Sequence, residues 1–202
     1  PEHYVNVAKR LAAEIPNSFR INQYDNPDNP KTHYLSTGPE IWAQTSGQVD
    51  YFVASGSTGG TITGIGKYLK EQNTSIQVVM ADPVGSIYYD YFTKGKIPDN
   101  GHCTYQVEGV GEDHIAQAMD FSIVDKMYQF DDAVAFSTAH RLAKQEGILA
   151  GGSSGANVWA ALQLAKELTE PATIVTVLPD TGIKYLSKFY NQTWLSERHY
   201  EI

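Results

Sequence analysis

Three features of the chain predict an α/β fold, with an open, mainly parallel sheet and helices on both faces. Apolar runs alternate with helix-spaced runs. Strand, helix and strand follow one another between residues 50 and 81. Three turns of small residues, Ser55–Thr61, Gly151–Gly155 and Asp180–Gly182, directly follow apolar runs.

Val5, Ala8, Leu11, Ala12 and Ile15 recur at helical spacing until Pro16. FRINQYDNPDNPKTHY, residues 19–34, holds two Asn-Pro pairs and reads as loop. GPEIWAQTSG, residues 38–47, reads as a short helix with Pro39 in its first turn. A strand over 50–54, a helix over 60–72 and a strand over 77–81 make a βαβ unit, so those strands should be parallel. DPVGSIYYDYF opens a loop, and residues 93–113 are rich in turn formers. Asp131 and Asp132 can cap a helix running to about Glu146, where Gly147 stops it. A further helix is expected from about 155 to 169, and ATIVTVLPDTG reads as a buried strand entering a turn.

The chain has 202 residues, one cysteine (Cys103), and 15 basic against 23 acidic residues, a formal charge of −8. That balance argues against nucleic acid or an anionic membrane as partner. No run approaches the roughly 18–20 apolar residues that span a bilayer. One cysteine excludes an internal disulfide and a multi-cysteine metal site, and a cytoplasmic location is expected. The six histidines are scattered without ligand spacing, so no metal is assigned. Tyr88, Tyr89 and Tyr91 read either as a surface patch or, by default, as core filler.

Ligands of open α/β sheets bind beyond the carboxyl ends of the strands. The first turn, GSTGGT, is the better anion site. Gly56, Gly59 and Gly60 let the backbone curl its N–H groups inward at a helix N-terminus, and Ser57, Thr58 and Thr61 add hydroxyls. Those glycines serve either a phosphate or close helix–sheet packing. The turn is neither a nucleotide P-loop, which ends in Gly-Lys-Ser/Thr, nor a Gly-x-Gly-x-x-Gly dinucleotide fingerprint. By itself GGSSGAN reads as a structural helix entry, and Asp180 and Thr181 as turn and capping residues.

Together, ASGSTGGTITG, ADPVGS, VEGVGED, QEGILAGGSSGA and LPDTGIKYLSKF occur in an order that resembles the β-family of pyridoxal-phosphate enzymes, the cystathionine β-synthase and cysteine synthase family. HYVNVAKRLAAEIP and INQYDNPDNPKTHYLSTGPEIW are similar to it too, so the likeness covers nearly the whole chain. It implies a fold of the tryptophan synthase β type and pyridoxal 5′-phosphate as cofactor. Ser57, Thr58, Gly59, Gly60 and Thr61 would form the phosphate cup, although the family usually has Gly at the position of Ser57. Thr181 would place its hydroxyl against the pyridine nitrogen, and Gly109 and Gly111 would lie beside the reactive carbon. Glu112 falls on the substrate side, where cystathionine β-synthases often carry Tyr. A hydroxyl at the ring nitrogen makes a milder electron sink than a carboxylate would. That suits replacement of a β-substituent and disfavours transamination.

The implied reaction condenses serine with homocysteine to cystathionine. The alternatives are cysteine synthesis from O-acetylserine and sulfide, or a non-catalytic module that binds phosphorylated metabolites. The implied partners are small amino-acid and thiol substrates and, by family, a second copy in a homodimer. The Schiff-base lysine and the loop for the substrate carboxylate are expected ahead of Pro1, so no catalytic residue is assigned within the chain, which would be truncated at its N-terminus and inactive alone. Residues 1–46 would be the tail of a smaller substrate-side domain and linker, and residues 47–202 the cofactor-anchoring domain.

Overall fold

The computed structural model describes residues 4–98 and 101–202. Strands β1 (Tyr51–Ser55), β2 (Gln77–Pro83), β3 (Lys126–Phe130) and β4 (Ile174–Thr176) form one sheet in the order β3-β2-β1-β4. Every pairing is parallel. Tyr51 lies opposite both Gln77 and Ile174, and Val79 opposite Lys126. The chain moves outward from β1 through β2 to β3, then returns to β4 on the far side of β1. A parallel sheet has its topological switch point where the order reverses, here between β1 and β4, and leaves a crevice at the carboxyl ends of those strands.

The strands are apolar throughout because both faces are covered. Phe52, Ala54, Val78 and Met80 point into one core with Ile62, Ile65 and Leu69 of helix α4 (Gly60–Gln72). Val53, Val79 and Ala81 point into a second core. That core also holds Ala135, Phe136 and Ala139 of α6 (Asp132–Arg141), and Ala156, Ala160 and Leu164 of α7 (Gly152–Glu167). The expected βαβ unit over 50–81 and the helices on both faces are therefore present.

The remaining helices are α1 (Tyr4–Glu14), α2 (Asp28–Leu35), α3 (Thr37–Gln44), α5 (Tyr88–Lys94) and α8 (Gln192–Glu197). No residue of α1 is buried, although its apolar spacing is helical as expected. Helix α2 lies where the two Asn-Pro pairs predict loop. Pro27 is its N-cap and Pro30 falls in its first turn, where a missing N–H costs no hydrogen bond. Helix α5 replaces an expected loop and ends on Gly95 in the left-handed region. The Asp131 carboxylate accepts the Val134 N–H and caps α6 as expected. The α-helix gives way at Leu142 to a wider π-type turn ending on Gly147. Helix α7 starts three residues before its expected position.

Helices α6 and α7 touch through Gly155. A Cβ there would lie 2.0 Å from the Ala135 carbonyl oxygen, which is backbone and cannot swing aside. Gly155→Ala is therefore expected to destabilise the protein by roughly 2 kcal/mol despite the better helix propensity of alanine. Urea denaturation checks this, and a stabilised variant would show that the helices separate freely.

Candidate functional site

A hollow of ≈ 260 Å³ opens at the switch point. Ser55–Thr61 form one wall; Gly109, Ser153, Pro179, Asp180 and Tyr185 complete much of the rest. Asn157 fixes the two strand ends that frame it. This fully buried side chain accepts the Ser55 N–H at 2.6 Å and donates to the Val177 carbonyl at 2.8 Å.

Gly59 sits at φ +80° and is the N-cap of α4, with no side-chain cap. Among the described residues, the N–H groups of Ser57, Thr58, Gly59 and Thr61 have no acceptor, and that of Gly60 has only a long contact with Thr58 Oγ1 at 3.5 Å. The first N–H groups of any helix lack partners within it, and the helix dipole adds positive potential at the same end. Orphan donors facing an open hollow at such a terminus fit a phosphate. These donors lie on the STGGT residues singled out in the sequence.

The hydroxyls are less uniform than the sequence suggests. Thr58 Oγ1 accepts from Asn29 Nδ2 at 3.0 Å, which leaves its own proton to donate. Thr61 Oγ1 pairs with His33 Nε2 at 3.2 Å. Burial lowers the His33 pKa, so its ring stays neutral at pH 7. The Ser57 hydroxyl, in contrast, donates to Glu112 Oε1 at 2.5 Å and so is committed away from an anion. Ser57 brings a backbone N–H to the cup but no free hydroxyl proton.

Gly109 lines the hollow, and Gly111 stands behind the cup with its N–H on the Gly56 carbonyl at 2.7 Å. Glu112 is turned to a neighbouring hollow of ≈ 210 Å³ with Tyr24, His102, Cys103 and Tyr105. Glu112, Asp113 and His114 bring three possible ligand atoms within 4.8 Å, but the His114 and Asp113 side chains are half exposed and pair with each other at 2.7 Å. Thr181 does not line the main hollow. It is exposed, and its Oγ1 accepts the Ile183 N–H at 3.3 Å. The preceding Asp180 lines it instead. Its Oδ2 accepts the Tyr185 hydroxyl at 2.8 Å, and its Oδ1 is buried without a partner. No lysine lines the hollow among the described residues. Lys184 and Lys188 reach two of its carboxylates, Asp180 and Glu108, through ion pairs.

Sequence reading missed Asn29, His33, Asn157 and Tyr88. The first two are four residues apart on α2, a spacing that puts them on one helix face. The loop reading of that segment hid the pattern. Tyr88 fills the core as expected, but its hydroxyl also donates to the Ser57 carbonyl at 2.7 Å.

A family model described as "Pyridoxal-phosphate dependent enzyme" matches residues 1–180. Cystathionine beta-synthase of Apis mellifera is 43% identical over 198 residues, which cover 98% of this chain and 38% of the relative. Cystathionine beta-synthase of Saccharomyces cerevisiae is 42% identical, with 98% of this chain and 40% of the relative covered. Cysteine synthase 2 of Schizosaccharomyces pombe is 37% identical, with 98% and 55% covered. The chain thus spans well under two thirds of the length of these relatives. No helix among the described residues is long and apolar enough to cross a membrane.

Proposed function

Since the chain belongs to the pyridoxal-phosphate-dependent enzyme family, we propose that it anchors the cofactor of a β-replacement enzyme that condenses serine with homocysteine to cystathionine. The observation that carries this is the set of N–H groups of Ser57, Thr58, Gly59 and Thr61, without acceptors among the described residues, on residues that line a hollow at the switch point. Relatives named cystathionine beta-synthase at 40–43% identity support the serine and homocysteine reading. Those named cysteine synthase, at 36–37%, support the alternative of O-acetylserine and sulfide.

In this reading the N–H groups of Ser57, Thr58, Gly59, Gly60 and Thr61 hold the cofactor phosphate, helped by the Thr58 hydroxyl. Bound there, the cofactor supplies an electron sink for the substrate carbon from which a proton is removed. Gly109 leaves room beside it, Gly111 holds the cup from behind through the Gly56 carbonyl, and Glu112 borders the adjacent hollow as a substrate-side group. Thr181, one residue beyond the Asp180 that lines the hollow, is the proposed partner of the ring nitrogen on the strength of the resemblance. Its oxygen already accepts the Ile183 N–H, so its hydroxyl proton is left to donate to an unprotonated ring. No lysine among the described residues lines the hollow, which supports a Schiff-base lysine supplied from outside them. Residues 1–46 are then the tail of the substrate-side domain and linker, and 47–202 the cofactor-anchoring domain. A homodimer in the cytoplasm completes the reading.

In the longest native form of the protein, serine plus homocysteine should yield cystathionine with kcat/KM at least about tenfold above that for O-acetylserine plus sulfide. The opposite ranking would identify a cysteine synthase. No product from either pair would leave only a phosphate-binding module.

A further inference from the structure

We infer that Tyr88 is a positioning residue that aims the amides of the phosphate cup, and that the turn from Asp82 to Tyr89 braces it. The inference rests on the reading of Ser57–Thr61 as a phosphate site and deepens it.

In a trans peptide the carbonyl and the following N–H point in opposite directions. The Gly56 carbonyl is held by the Gly111 N–H at 2.7 Å, and the Ser57 carbonyl by the Tyr88 hydroxyl at 2.7 Å. Fixing those two oxygens fixes the directions of the next two N–H groups, those of Ser57 and Thr58. Both carbonyls turn toward the protein, so both N–H groups turn the other way, on residues that line the hollow. A buried oriented donor is worth far more to an anion than one that must reorient.

Tyr88 has little freedom to relax. Its side chain is fully buried and meets Phe121 edge to face, with ring centroids 5.2 Å apart. The helix entry that carries it is gripped on several sides. Asp82 Oδ2 accepts the Tyr89 N–H at 3.0 Å. Ser86 Oγ accepts the Tyr88 N–H at 3.2 Å and the Glu112 N–H at 3.1 Å. The Glu112 carbonyl accepts the Ile87 N–H at 3.0 Å. One turn therefore holds the loop of Gly111 and Glu112 and, through Tyr88, the cup itself. The simpler alternative is that Tyr88 only fills the core and satisfies one buried carbonyl.

Pyridoxine 5′-phosphate separates the two. It carries the phosphate but no aldehyde, so its binding needs no lysine. Its affinity is measured by calorimetry on the wild-type protein, Tyr88→Phe and Tyr91→Phe, with the Thr58 amide followed by ¹⁵N NMR. Tyr91 sits on the same helix with its ring against Phe121. Tyr88→Phe should lower affinity about tenfold and shrink the ligand-induced shift of the Thr58 amide, while Tyr91→Phe leaves both unchanged. Equal affinity in Tyr88→Phe and wild type, or equal losses in the two variants, overturns the brace and leaves the phosphate site standing. No binding by wild type overturns both. If Tyr88→Phe does not fold, Ser86→Ala serves instead. It frees the Glu112 N–H and should weaken binding about threefold; unchanged affinity there also overturns the brace.

Discussion

Gly59→Ala is expected to abolish binding of a phosphorylated ligand and to destabilise the fold by about 3 kcal/mol. Two costs combine. Gly59 holds φ +80°, a conformation that disfavours any side chain. A Cβ there would also lie 2.5 Å from Met119 Sδ, 2.6 Å from its Cβ and 2.7 Å from its Cα. The sulfur could move, but the Cα could not without shifting its chain. The cup must yield instead, and its N–H groups would lose their common focus. Gly109 is an informative contrast. It has φ +76°, and a Cβ added there would meet nothing within 4 Å, so Gly109→Ala should cost only the conformational part, about 1 kcal/mol. Urea denaturation and pyridoxine 5′-phosphate titration check both expectations. A Gly59→Ala protein that binds within about twofold of wild type would show that the phosphate sits elsewhere.

The pieces legible in the sequence were those with local causes. Strands β1 and β2 are apolar runs that end in small-residue turns, and Asp131 announces α6 by its side-chain chemistry. Strand β3 escaped notice because it is an edge strand. Lys126 and Gln129 break its apolar run, and only Met127 and Phe130 are buried. Helix α2 escaped because Asn-Pro pairs signal turns, yet a proline in the first turn of a helix forfeits nothing.

The site divides in the same way. Gly59 and its neighbours could be read as an anion cup from composition and position alone. Asn29, His33 and Tyr88 could not, because each acts through a contact 28 to 31 residues away in sequence, with no local mark. Ser57 and Glu112 show the limit most clearly. They are two positions at which the chain departs from the pattern it resembles, and the fold bonds them to each other. A carboxylate that close to a phosphate would oppose it; the hydrogen bond to Glu112 also occupies the Ser57 hydroxyl proton and removes one hydroxyl from the cup.

Beneath the brace, Asp82 should make stability fall as pH rises from about 4 to 7.5, an effect that Asp82→Asn should remove. The side chain is fully buried, and burial raises its pKa from 3.8 to about 7, with Asp90 adding to the rise. Hydrogen bonds from Ser86 and the Tyr89 N–H oppose the rise without cancelling it. Oδ1 has no partner, so a proton placed there removes the charge without breaking the Tyr89 contact on Oδ2. The folded protein thus keeps a proton that the unfolded chain releases above pH 3.8. Its benefit is full below that value and is lost as pH rises through about 7. Between about pH 4.5 and 7.5 the loss amounts to about 3 kcal/mol. An asparagine cannot titrate, and its carbonyl oxygen can still accept the Tyr89 N–H. The stability of wild type relative to Asp82→Asn should therefore drop by that amount across the interval, while other titrations cancel in the difference. A difference that stays flat with pH would mean that Asp82 remains ionised at both ends, its Oδ1 satisfied by a water, and that the brace carries a permanent buried charge.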